Sequence, residues 1–155
     1  MENDFTKSVS FFRFEDLRVY HKALDYIDWV SNTTQMISEN HVNGIAHKFN
    51  LAAQSIAFYI AEGSARNKNQ FVYYLKLAKS SLRECVILTS VLEKQGAMTE
   101  SMVEYSRNQL IELTKMIGAL IGSLQKSNRK FQGNNTAAEP EEDLEFVDQY
   151  SLRKY

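Results

Sequence analysis

Apolar residues recur along this chain at steps of three and four, in four long stretches separated by short polar breaks. That spacing places one apolar stripe on one side of a helix. The first stretch predicts a helix from about Glu15 to Ser38, with Leu17, Leu24 and Ile27 on one face and Val19, Tyr26 and Val30 beside it. The second, from about Asn43 to Glu62, carries Ile45, Phe49, Ala52, Ile56 and Ile60. The third, from about Asn69 to Gln95, keeps its rhythm through Phe71, Leu75, Ala78, Leu82, Cys85, Thr89 and Leu92. The fourth runs from about Glu100 to Ser127 through Val103, Leu110, Leu113, Ile117, Leu120 and Leu124. Alternating strand patterns do not appear.

The breaks fit the same reading. The one proline, Pro140, lies beyond all four stretches, and glycines fall near the breaks at Gly44, Gly63 and Gly96. Gly96 is placed as the residue after the third helix, where a left-handed backbone costs glycine little. Gly63 is expected to end the second helix, and Asn67 or Asn69 to cap the third. Thr99, or Ser101 with Glu104 three residues on, caps the fourth. Gly118 and Gly122 lie inside the fourth helix and would permit a close helix approach, within the chain or between subunits. Short turns make neighbouring helices antiparallel. The expectation is an all-α, antiparallel, up-down-up-down four-helix bundle over residues 14–127, after a flexible N-terminus at 1–13.

Residues 128–155 differ. Six of the ten residues from Glu139 to Asp148 are acidic and apolar content is thin. That composition predicts a disordered acidic C-terminal tail. A sharper reading makes "LEFVDQY" a docking segment, or the tail an acidic cover for a basic surface on the same protein.

Composition narrows the function classes. The chain has 155 residues, 44% hydrophobic and 24% charged, with net charge −1. General affinity for nucleic acid or membrane does not follow, so any such affinity must come from local charge. No apolar run reaches the length of a membrane span. The N-terminus has no apolar signal core. A single cysteine suits a reducing compartment. The expected location is the cytoplasm.

Candidate chemistry is sparse. No glutamate precedes a histidine by three residues, so the di-iron bundle motif is missing, and no H-E-x-x-H or phosphate-binding glycine motif occurs. No metal or cofactor is expected. Cys85 falls on a core stripe and reads as a small buried hydrophobe. His21 and Asp25, four apart, read as a surface pair.

Charge is distributed less evenly. From Gly63 to Arg83 there are five cations, Arg66, Lys68, Lys76, Lys79 and Arg83, and no acid. At about 100° per residue, Lys76, Lys79 and Arg83 cluster to one side of the third helix's core stripe. Tyr74, Leu77, Ser81, Leu88 and Val91 form a mostly apolar stripe on the other side. The first flank is a candidate contact for RNA or DNA phosphates. Tyr74, Leu77, Leu88 and Val91 are candidates for a subunit interface.

These residues carry a family resemblance. "FEDLRVYHKA", Phe14 to Ala23, resembles the opening F-x-D-L-x-V-[WY]-x-K-A of the small bundle proteins encoded within intervening sequences of bacterial 23S ribosomal RNA genes. "IAEGSARNKNQF" resembles their I-A-E-G-x-x-R-x-x-x-x-[EQ]-F signature at Ile60, Ala61, Glu62, Gly63, Arg66, Gln70 and Phe71. "YYLKLAKSSLRE" resembles the F-L-x-x-A-x-x-S-L-x-E that follows. The likeness spans about Phe14 to Lys126. It implies an antiparallel four-helix bundle, assembly as a homo-oligomer with a pentamer the best guess, and no enzymatic activity. A related branch, the accessory protein of diversity-generating retroelements, resembles a positively charged barrel that binds nucleic acid and a reverse transcriptase.

The favoured reading is therefore a non-enzymatic oligomeric bundle that binds RNA, DNA or a protein partner and no membrane. The alternatives are a retroelement accessory protein and a small enzyme with an unrecognised site.

Overall fold

The structure is a computed structural model. It describes the backbone of residues 10–37 and 39–131, and the side chains of 10–37 and 44–127. The N-terminal nine residues and the acidic segment lie outside the described residues.

A short 3-10 turn, η1 (Arg13–Asp16), precedes four α-helices: α1 (Arg18–Met36), α2 (Glu39–Ser64), α3 (Lys68–Lys94) and α4 (Glu100–Phe131). Among the described residues the backbones of α1 and α2, α2 and α3, α3 and α4, and α4 and α1 approach closely, whereas the diagonal pairs meet only through side chains. The bundle is thus four-cornered, as short connections between antiparallel neighbours require. The α1–α4 side is the least extensive of the four.

Local signals set the boundaries. At the end of α3, Ala97 N–H donates to the Leu92 carbonyl at 2.9 Å and Gly96 N–H to that of Glu93 at 3.0 Å. Gly96 has φ +68°. This is the paired-bond stop that a left-handed glycine makes cheap. Asn67, not Asn69, caps α3: its Oδ1 accepts from Gln70 N–H at 3.0 Å. Thr99 caps α4, with Oγ1 accepting from Met102 N–H at 3.3 Å.

Several expectations need correction. The first helix begins at Arg18, because residues 13–16 take the tighter 3-10 form. Its core face is Val19, Ala23, Tyr26 and Val30; Leu24 is 39% exposed, and Leu17 and Ile27 are half-buried. Two apolar stripes lie side by side there, and the one with the bulkier aromatic is buried. Gly44 lies within α2 and marks no break. Gly63 does not end α2, which continues to Ser64. Gly118 and Gly122 meet nothing within 4 Å of an added Cβ, so neither serves a close approach inside this chain.

Gly63 does serve one. A Cβ there would stand 2.7 Å from Tyr74 Cβ and 2.8 Å from Phe71 Cδ2. Only a residue without a side chain lets the end of α2 meet the start of α3 at this distance.

The other stripes bury as the periodicity requires. Phe49, Ala52, Ile56 and Ile60 from α2 meet Leu75, Ala78, Leu82, Cys85 and Leu92 from α3 and Val103, Leu110, Leu113 and Ile117 from α4. Removing a buried leucine costs its transfer free energy and leaves a cavity. Leu82→Ala and Leu113→Ala should each lower stability by about 2–5 kcal/mol. Gly63→Ala should cost about 1–3 kcal/mol through overpacking. Chemical denaturation checks all three; losses under about 1 kcal/mol for both leucines would refute these helix faces.

Candidate functional site

The cations of α3 are brought onto one side of the helix. At about 100° per residue, Lys68, Lys79, Arg83 and Lys76 fall within an arc of about 80°, centred about 110° from the core stripe. Lys68, Lys76 and Arg83 are exposed and Lys79 is half-buried. No acid occurs between Lys68 and Arg83. Two cations missed in the sequence extend the surface. Lys94, in the last turn of α3, falls on the same arc. Arg107 of α4 crosses to this side and donates to Ser90 Oγ at 2.9 Å. Arg107 could not be read from one helix's periodicity, because its placement depends on how α4 packs beside α3. Arg83 Nη2 donates to Ser80 Oγ at 3.0 Å, and Lys68 Nζ donates to Ser127 Oγ near the end of α4.

Arg66 stands apart from this arc, in the turn. Its Nη2 meets Glu62 Oε1 at 2.6 Å, and its guanidinium lies 5.4 Å from the centre of the Tyr74 ring. The hydrogen bond to Glu62, and then the charge of Tyr74, push its pKa above the ordinary value. The turn that carries Arg66 is thus tied together by an ion pair, a ring contact and the Gly63 approach. Beside it, Phe11, Phe12, Arg13 and Phe14 face Phe58, Tyr59, Glu62 and Arg66 across an open groove of about 730 Å³.

The apolar flank is partly spent within the chain. Leu88 is only 7% exposed, and Tyr74, Leu77 and Val91 are half-buried. On α2 and α3 the large apolar side chains left exposed are Leu51, Phe58, Tyr73 and Ile87, each 49–68% exposed.

A buried polar cluster links three helices. Tyr26 Oη and Ser106 Oγ are 2.9 Å apart, Ser106 Oγ and Thr89 Oγ1 are 2.8 Å apart, and Thr89 Oγ1 donates to the Cys85 carbonyl at 2.8 Å. Among the described residues no buried side-chain polar atom lacks a partner. Burial, and then the nearby charge of Glu84, push the Cys85 thiol up to about 12. Burial also raises the Tyr26 hydroxyl pKa. A thiol held neutral in the core is a poor nucleophile. His21 is held by the backbone of η1, its Nε2 donating to the Glu15 carbonyl. Among the described residues no three His, Cys, Asp or Glu side chains gather as a metal site would need. No helix among them is long and apolar enough to cross a membrane.

Comparison with known proteins agrees with these motifs. The family described as "23S rRNA-intervening sequence protein" matches residues 15–119. The chain belongs to that family. Among solved structures it is similar to a protein of unknown function from the S23 ribosomal protein family of Bacteroides thetaiotaomicron. The TM-score is 0.62 at 19% identity, over 66% of this chain and 97% of that one. That likeness shows the fold. No curated protein matches the chain.

The raised thiol pKa has a consequence for stability. Above about pH 9 the unfolded chain loses the Cys85 proton while the folded chain keeps it. The folded state then binds more protons, so stability falls as pH rises, by up to about 1.4 kcal/mol per pH unit from this group. Urea denaturation between pH 8 and 11 should show a steeper loss for the native sequence than for Cys85→Ala. Parallel curves would contradict the burial of the thiol.

Proposed function

We propose that this member of the 23S rRNA-intervening sequence protein family acts by binding rather than by catalysis, and that one face of α3 holds the phosphates of RNA or DNA. The segregation of Lys68, Lys76, Lys79 and Arg83 onto one arc carries the reading. On a chain of net charge −1, concentrating cations on one face creates a local positive potential where the average is nearly neutral. Arg66, in the turn before α3 and apart from the arc, keeps its side chain 41% exposed despite its ion pair. Lys94 and Arg107 lengthen the surface. Lysine and arginine on a helix face meet phosphate oxygens without reading base edges, so affinity should be broad in sequence and steep in salt.

Assembly is part of the proposal. Phe58, Leu51, Tyr73 and Ile87 leave apolar surface exposed on α2 and α3. A homo-oligomer, with a pentamer the size implied by the resemblance, would cover some of it. It would also present several copies of the cation face, multiplying a weak contact by avidity. Tyr74, Leu77 and Val91 keep partial exposure for such a contact, whereas Leu88 has little left to offer.

Two measurements test this. Titration with single-stranded RNA at low salt should show the variant Lys76→Gln, Lys79→Gln, Arg83→Gln binding more weakly. Its log–log salt slope should be shallower by about 2, at about 0.7 for each phosphate no longer neutralised. Equal binding by a folded variant would reduce the arc to a solvated flank. Light scattering at tens of micromolar should report a multiple of the 17.9 kDa chain mass. A monomer alone would remove the avidity argument.

A further inference from the structure

The end of α4 lies at the head of the cation face. Lys68 Nζ, at the first residue of α3, donates to Ser127 Oγ, and α4 ends one turn later at Phe131. The chain beyond it leads to Glu139, Glu141, Glu142, Asp143, Glu145 and Asp148. Geometry permits these acids to return along α3. From Lys68 to Arg83 the helix rises about 22 Å. Eight residues of chain, Phe131 to Glu139, span at most about 27 Å, and the seventeen to Asp148 about 58 Å. The signs are opposite: residues 139–148 carry six carboxylates, and the first sixteen residues of α3 carry four cations and no acid.

We propose that residues 139–148 dock on the cation face of α3 in the same chain and compete there with nucleic acid. This rests on that face being the binding surface named above. The occupant is this segment because it is tethered at the head of the face and carries the complementary charge. Its anions would match Lys76, Lys79 and Arg83 as phosphates do, as point contacts without sequence reading. Attachment supplies an effective concentration in the millimolar range, so a contact of about 0.1 mM intrinsic strength would weaken RNA binding about tenfold. Salt would weaken the cover and the RNA contact together, so the two compete at low salt, where each is strongest.

The test uses the full chain with the six acids changed to Gln or Asn (Glu139, Glu141, Glu142, Asp143, Glu145 and Asp148). One readout needs no nucleic acid. The rates at which an amine-reactive acetylating reagent modifies Lys76 and Lys79, followed by mass spectrometry, should rise several-fold in the neutralised chain at low salt. The difference should vanish at high salt. The second readout is affinity for single-stranded RNA, expected to rise about tenfold in the neutralised chain. Faster labelling with no RNA binding by either chain would uphold the docking and overturn the nucleic-acid reading. RNA binding with identical labelling and affinity in both chains would overturn the docking alone. A neutralised chain that binds RNA more weakly would also overturn it.

Discussion

The close meeting of α2 and α3 at Gly63 is the constraint on which the rest of this bundle depends. Phe71 and Tyr74 lie so near the Gly63 backbone that a single methyl would collide with both. A contact of that kind leaves the two helices little freedom to slide or rotate, because interiors are packed too densely to absorb a displacement. The Asn67 cap and the Glu62–Arg66 pair hold the same turn from outside. Once α3 is seated on α2, its periodicity decides everything else about its faces. Leu75, Leu82 and Leu92 turn inward, and Lys76 and Arg83 turn to solvent.

The opposite side of the molecule is held differently. The α1–α4 contact is the least extensive of the four. It is reinforced by specific groups rather than by area alone. Tyr26 reaches Ser106 across the interior, Trp29 packs against Tyr105 at 5.0 Å, and Lys22 pairs with Glu112 at 2.9 Å. A buried hydroxyl without a partner costs more than its hydrogen bond returns, so the Tyr26–Ser106–Thr89 chain favours one register of α1 against α3 and α4. The partly exposed ion pair adds little by comparison.

This division of labour bears on function. In the family signature, Ile60 is core, Gly63 permits the close approach, Phe71 packs at it, and Glu62 and Arg66 brace the turn. Those residues are occupied in making the hairpin. Lys76, Lys79 and Arg83 each follow a buried residue, Leu75, Ala78 and Leu82, and so fall on the adjoining face of α3. Family membership therefore accounts for the scaffold. The cations that would meet phosphate are carried on positions that the packing leaves exposed or half-exposed.

Four helices, the buried stripes of α2, α3 and α4 and the glycine stop after α3 were all legible in the order of residues. Each follows from interactions within a few residues along one helix: side-chain spacing, capping and backbone freedom. The cations of α3 sorted to one side for the same reason, because they share that helix. The inward stripe of α1 was not legible, since both of its stripes are apolar and the choice lay with how Tyr26 meets Ser106. Nor was Gly63 as a contact rather than a stop, because the colliding atoms belong to another helix. Arg107 joined the cation face, and the end of α4 came to its head, through packing between helices, which no spacing within one of them records.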